Sequence, residues 1–548
     1  MKITFRWLAL TSLLLTSQAR AQTPLTLPKP VAQALDKVQP AAIKSHIAYL
    51  ADDKLRGRQP GTPGYQMAVD YVSSQFKKLG VQPAGDQGTY TQKVRLRRST
   101  LRPGATLNWH GATGVVTTLI LGQDAAIYPN PEEARVAVEA PLVFAGFGIS
   151  APELGYDDYA GLDVRGKIVV VRRGAPSTFA STVASASQDV MSLLQTAGKH
   201  GAAGLLVAVH GAVPDVSHGT YGALSPDGKV LASRSFVAGS GVQFYAAINE
   251  ATLHRFLGTA ALDTGRVYTA LRAGKPASSP LRGTLSAAFG TTYQDFDSYN
   301  VVGKITGSGA QLRDEYVVHS AHLDHLGVGA PVKGDSIYNG AHDNASGVAC
   351  VLEIARLYAG LKEKPKRSAL FVLLTSEEAG LLGSAYFAAR PTVPKANIVA
   401  NINSDMPTLI APLLSVTALG GAHSTLAAPV ANACAYLGIS LEPDPEPAQT
   451  RFIRSDQYSF VTQGIPALHL KYGDKTSDGR NNLTEQVKAW RALTYHQPQD
   501  DINGRFDFEA GRKYVQLSFL VGYQVAQASA RPVWNAGDFF GRRYGNMK

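Results

Sequence analysis

From Tyr299 onward the chain repeats one unit: an apolar strand, a loop, then an amphipathic helix. Tyr316-Val317-Val318 reads as a buried strand and Val348 to Leu357 as a helix, and Ala369 to Leu374 and Asn397 to Ile402 read as further strands. This alternation leaves few folds open, because parallel strands need crossover connections and the crossover helices then cover the sheet. The expected class is α/β, a mixed, largely parallel sheet with helices on both faces. In open sheets of this kind, sites form outside the carboxyl ends of the strands.

The 548 residues exceed what one core usually organises, so more than one domain is expected. Ile43 to Gly80 reads as helical, broken by the Gly/Pro-punctuated loop Arg56 to Thr62. From roughly 115 to 280 the texture changes to short β-type runs such as Lys167 to Val171. Gly161 to Lys167 nearly spells a phosphate-binding loop, but Ile168 replaces the Ser/Thr and a strand follows where a helix is needed. Lys2 and Arg6, the apolar run Trp7 to Leu15 and the small-residue site Ala19-Arg20-Ala21 form a signal peptide of bacterial type, with cleavage expected after Ala21. An exported protein, periplasmic or secreted, with no integral membrane span follows. The expected division is signal peptide 1–21, an N-terminal part of the catalytic domain 22–114, a β-rich insertion 115–280, the catalytic domain 281–535 and a polar tail 536–548.

The net charge of +11 raises the question of nucleic acid. The densest basic run, Lys93 to Arg98, alternates charged and apolar residues as a half-solvated strand does, and no aromatic platform accompanies it. No nucleic-acid partner is expected. The two cysteines, Cys350 and Cys434, exclude a disulfide scaffold and a Cys₄ zinc module. Both lie in apolar helical stretches, so buried free thiols are expected, although spacing alone leaves a bridge open.

Chemistry-bearing residues cluster at strand ends. His322-Leu323-Asp324 follows one strand, Asp343 lies in Gly340 to Gly347 at a helix start, and Glu377-Glu378 and Asp405 follow two more strands; His496 lies in Tyr495 to Asp500. Zinc takes imidazole nitrogen and carboxylate oxygen, and two His with three carboxylates exceed the needs of one open site. With one carboxylate bridging, they supply three ligands to each of two metals, which together activate water and polarise a carbonyl. One carboxylate is left over, and Glu377 beside Glu378 suits a general base.

In this order, H-x-D, G-A-x-D-N-A-S-G, E-E, N-x-D and Y-H-x-P-x-D resemble the M28 family of zinc aminopeptidases. Leu50 to Arg58 with Gly61-Thr62 resembles the same family's N-terminal segment. Gly155 to Tyr159, Gly166-Lys167 and Gly201 to Gly204 resemble an inserted protease-associated (PA) domain. The resemblance implies a sheet of zinc-peptidase type and two Zn²⁺ per chain. Asp343 would bridge, His322 and Asp405 would complete one site, and Glu378 and His496 the other. Asp324 would hydrogen-bond the second ring nitrogen of His322, and Glu377 would take the proton from water and return it to the departing amine. Relatives also suggest a cis peptide at Asp343-Asn344. Gln457 stands where relatives often carry His, but at no metal position.

The implied substrates are peptide or protein N-termini. Competing readings are a carboxypeptidase or glutaminyl cyclase of the same fold, or a non-catalytic PA/peptidase-like binding protein. A cyclase would work with one metal, and a binding protein would show missing ligands or a replaced Glu377. Tyr472 and Tyr495 are both available to steady an oxyanion, and the sequence selects neither. Oligomeric state and the preferred terminal residue are not written in the sequence.

Overall fold

The computed structural model describes residues 25–111 and 114–547, so the leader expected at 1–21 lies outside the described residues. The catalytic sheet is built on four parallel strands in the order Ser368–Leu374, Tyr316–His322, Ile398–Asn403 and Ala467–Tyr472. Residues 301–305 pair antiparallel with Ser368–Leu374 on one side, and Ser415–Leu419 pairs antiparallel with Ala467–Tyr472 on the other. The first two parallel strands are buried at every residue, which explains their unbroken apolar reading.

Alternate residues serve opposite faces. Val317, Ala369, Phe371 and Leu373 pack under the helices Pro40–Leu50, Pro63–Lys78, Ser346–Gly360 and Phe508–Gln527. Val318, Leu370, Val372 and Leu374 face the other way, against Phe387, Phe460 and Phe540. This is the mixed, largely parallel sheet with helices on both faces. The segment 536–548, expected as a polar tail, is a correction: Phe539–Tyr544 is helical, and Phe539, Phe540 and Tyr544 are buried. Three aromatics among arginines and glycines anchor a short helix that a composition average hides.

A second sheet carries the parallel run Arg135–Phe144, Ile168–Arg172, Gly204–Val209 and Phe244–Asn249, with Thr106–His110 and residues 279–290 on its antiparallel side. It too alternates, with Val169, Val171, Leu205 and Val207 on one face and Ile168, Val170 and Leu206 on the other. Lys167 leads straight into a strand, as the rejected phosphate loop implied. One strand, Ser279–Ile305, belongs to both sheets: residues 279–290 pair with Arg135–Phe144, and residues 291–301 with Thr91–Leu101. Along Thr91–Leu101, Val94 and Leu96 are buried, while Lys93 and Arg97 pair with Asp297 and Asp295. Thr220–Leu224 then adds to the free edge of Thr91–Leu101. Cys350 and Cys434 are free and buried, as expected.

Arg58 ties the N-terminal helices to the sheet edge. Its buried guanidinium donates to the carbonyls of Leu323 (2.9 Å), Leu50 (2.5 Å), Asn339 (2.6 Å) and Gly340 (3.0 Å). Gly57 precedes it at φ +67°, where a Cβ would lie 2.4 Å from the Tyr338 carbonyl, so only glycine lets the loop pass. Burial lowers the Arg58 pKa to about 10, against the pull of Asp324, Asp500, Asp343 and Glu378. Each buried acceptor left without a donor costs ~1–3 kcal/mol. Arg58→Met is therefore expected to destabilise the protein by on the order of 3 kcal/mol or more, read as a lower urea midpoint.

Candidate metal centre

Four loops at the carboxyl edge of the catalytic sheet deliver the site. His322 is the last residue of Tyr316–His322. In the neutral ring its Nδ1 donates to the Asp324 carbonyl at 3.1 Å, leaving the Nε2 lone pair to face the site. The Asp324 carboxylate stands 4.0 Å from Nδ1 and accepts instead from the amides of Glu377 (3.0 Å) and Glu378 (3.3 Å). Asp324 therefore orients the ring through its backbone and the paired glutamates through its side chain. Burial raises its pKa to about 6.

Asp343 is held from behind. Its amide donates to Asp500 Oδ2 at 3.0 Å and the His342 amide to Asp500 Oδ1 at 2.9 Å. The Asp343-Asn344 peptide is cis. Asn344 Oδ1 accepts from the Gly347 and Met406 amides, so the helix start and the Asp405 loop share one anchor. Asp405 is further placed through its carbonyl, which accepts from His469 Nε2 (2.8 Å) and Lys471 Nζ (3.0 Å).

The side chains then converge in two halves. His322 Nε2 lies 3.2 Å from Asp343 Oδ1 and 3.5 Å from Asp405 Oδ1. His496 Nε2 lies 3.3 Å from Asp343 Oδ2 and 3.2 Å from Glu378 Oε2. Each Asp343 oxygen thus serves a different imidazole. Glu377 offers an oxygen within 4.8 Å of a ring nitrogen of His322 and a carboxylate oxygen of Asp405. His325, which the sequence reading did not single out as a site residue, donates from Nδ1 to Glu378 Oε1 at 2.8 Å, and a ring nitrogen groups with Asp343 and Glu378 within 4.8 Å. Its signal in the sequence was adjacency to Asp324. Asp500 was legible only as the last letter of Y-H-x-P-x-D, without a role.

Electrostatics mark the cluster as short of positive charge. Burial works against ionising His322, yet Glu377, Asp343 and Asp405 outweigh it and raise that pKa well above the usual imidazole value. His496 is likewise pushed up to about 10, despite burial, by Asp343 and Glu378. Burial raises Glu377 well above a normal carboxyl, and Asp405, Glu378 and Asp456 add to it against His322. A cation placed among these groups replaces the missing countercharge. Zinc fits these residues: His496 Nε2 is buried without a hydrogen bond while facing two carboxylates, and the donor set is the nitrogen and oxygen mixture that zinc accepts.

The cluster opens into a cavity of about 150 Å³, walled by Met406, Tyr472, Tyr495 and several basic residues. Tyr495 stacks on His496 with ring centres 3.9 Å apart and lies under Arg491. Tyr472 donates to Glu446 Oε2 at 3.1 Å.

Comparison with known proteins places these features. Residues 300–513 match the model of peptidase family M28, and residues 138–243 match the PA domain. The chain therefore carries an M28-type peptidase region and, before it in sequence, a PA-type region. Leupeptin-inactivating enzyme 1 of Streptomyces exfoliatus is 32% identical over 281 residues, 48% of this chain and 59% of that protein. Carboxypeptidase Q of Bos taurus is 32% identical over 119 residues, 22% of this chain and 23% of that protein. The chain thus spans under two thirds of the length of these relatives. Among solved structures, an aminopeptidase from Aneurinibacillus sp. strain AM-1 has a TM-score of 0.49 at 20% identity, covering 91% of this chain and 97% of that one. Among the described residues, no helix is long and apolar enough to cross a membrane.

Proposed function

We propose that the chain is an exported two-zinc aminopeptidase that hydrolyses N-terminal peptide bonds. The carrying observation is Asp343, whose two oxygens face two different imidazoles, each with a second carboxylate of its own, Asp405 or Glu378. His322, Asp405 and Asp343 would hold one zinc, and His496, Glu378 and Asp343 the other. Bound zinc supplies Lewis acidity and makes a water acidic enough to ionise near neutral pH.

The chain's own groups do the rest. Glu377, partly open to the cavity and not needed as a ligand, takes the proton from the attacking water at its carboxylate and hands it to the departing amine. Asp324 holds Glu377 and Glu378 apart by fixing both amides. The small cavity suits one chain terminus better than the middle of a polypeptide, and its carboxylate floor suits an α-ammonium group. The matched families support peptide hydrolysis, and relatives that bear both aminopeptidase and carboxypeptidase names make the end of attack the point to test.

Purified protein is expected to contain about two zinc per chain by elemental analysis, following the ligand count. It is expected to cleave leucine p-nitroanilide but not the N-acetylated compound. A single metal that zinc soaking does not change, or cleavage restricted to substrates with a blocked amine and free carboxylate, would overturn the reading. Export predicts a mature chain starting at Gln22, readable by mass spectrometry of the exported protein.

A further inference from the structure

The cavity over the metal centre has an unbalanced wall. Arg451, Arg454, Lys471, Lys488 and Arg491 line it, and outside the acidic cluster of the centre only one lining carboxylate, Glu446, opposes them. The five cations come from three places: a loop, the strand Ala467–Tyr472 and the helix Leu483–Thr494. A solvated helix face does not produce such convergence, since it spreads its charges over a single element.

Three of the five are engaged. Lys471 is buried and donates to the Asp405 and Met406 carbonyls. Arg451 pairs with Asp444 and with Glu446, while its Nε is buried without a partner. Arg491 spreads over the Tyr495 ring, 3.6 Å from its centre. Arg454 and Lys488 differ. Both are exposed at the cavity, and among the described residues neither side chain has a hydrogen bond or ion pair. Two free cations, backed by three more in a partly enclosed cleft, make a field that attracts an anion. Arginine matches the planar geometry of a carboxylate.

We propose that this cationic wall recognises a carboxylate of the substrate, with Arg454 and Lys488 as its specificity-determining residues. The inference rests on the peptidase reading for the position of the substrate and deepens it by naming what the substrate must carry. Two sources share this chemistry: an acidic side chain on the terminal residue, or the free α-carboxylate of a very short peptide.

The experiment has one arm for each source. Glutamyl p-nitroanilide against glutaminyl p-nitroanilide tests the side chain with no α-carboxylate present. Leucyl-glycine against leucyl-glycinamide tests the α-carboxylate with a neutral side chain. In one arm the carboxylate substrate is expected to exceed its neutral partner in kcat/KM by about tenfold or more, as charge-assisted hydrogen bonds allow. That ratio is expected to fall toward unity in the Arg454→Ala/Lys488→Ala double variant and to shrink with added salt. The neutral substrates are expected to stay within about twofold, because neither residue touches the reacting atoms. Both side chains are exposed, so the double variant keeps the fold. Ratios near unity in both arms of the unaltered protein, or equal loss on neutral and acidic substrates in the variant, would overturn the inference.

Calorimetry on zinc-loaded Glu377→Gln protein with the same two dipeptide ligands and with glutamyl- and glutaminyl-glycinamide gives a readout independent of turnover. Preferential carboxylate binding without hydrolysis of any substrate by the unaltered enzyme would uphold this inference and overturn the peptidase reading. Hydrolysis of neutral substrates with no carboxylate preference in rate or binding would do the reverse.

Discussion

Glu377→Gln is expected to keep both metals and still bind peptide, while kcat falls by at least the ~10²–10⁴-fold typical of a lost general base. Glutamine keeps the volume and one oxygen but cannot carry the proton from water to amine, and both transfers rely on the same group. The neighbouring substitution separates the roles. Glu378→Gln neutralises the carboxylate that faces His496 at 3.2 Å and leaves it one oxygen, so it is expected to lose activity through weakened metal at one half of the site. Excess zinc should partly restore Glu378→Gln and leave Glu377→Gln inactive. Substantial hydrolysis by zinc-replete Glu377→Gln would refute the assignment. If that variant lost activity only together with metal, the two glutamates would exchange roles.

The second large effect belongs to Asp343. Because its Oδ1 faces His322 and its Oδ2 faces His496, Asp343→Ala removes a donor from both halves at once. Zinc content after dialysis is expected to fall toward zero, with peptidase activity. His496→Ala touches one half, and about one zinc per chain is expected to stay with His322, Asp405 and Asp343. Equal retention of metal by the two variants would show that Asp343 does not bridge. Replacing Asp343 by Asn is a milder test. It keeps the shape that Asp500 supports through the Asp343 amide and lowers only the charge.

The sheet and the candidate ligands were legible because both write themselves in short segments. A buried parallel strand is a run of apolar residues, and the acids that follow it occupy the next few positions, as with Glu377 and Glu378 after Ser368–Leu374. What the sequence hid depends on partners far along the chain. Arg58 reads as one basic residue in a loop, yet three of its four acceptors lie more than 250 positions away. Lys488 and Arg491 lie on a helix well after Arg451 and Arg454 in the chain, and only the fold brings all four to the wall of one cavity. The strand Ser279–Ile305 was obscured for another reason. Its glycines and its 27 residues argue for a break near 280, because isolated strands seldom run past ~10 residues. Pairing with two different sheets sustains a length that one sheet would not.

That long strand also sets what can move. A hinge between the PA domain and the catalytic sheet would have to bend a continuous ribbon, and one that is clamped near its middle. Arg135–Phe144 holds it on one side of the crossing point at residues 290–291, and Thr91–Leu101 holds it on the other. Thr220–Leu224 reaches back from the inserted region to brace Thr91–Leu101 itself. The two ladders meet end to end at the crossing point, so the tie across it is the pairing of Thr220–Leu224 with Thr91–Leu101, which a swing of the inserted region would have to break. The cavity over the metal centre is walled on its basic side by the turn carrying Glu446 to Arg454 and by Lys488 and Arg491, and the proposed substrate would have to pass these residues.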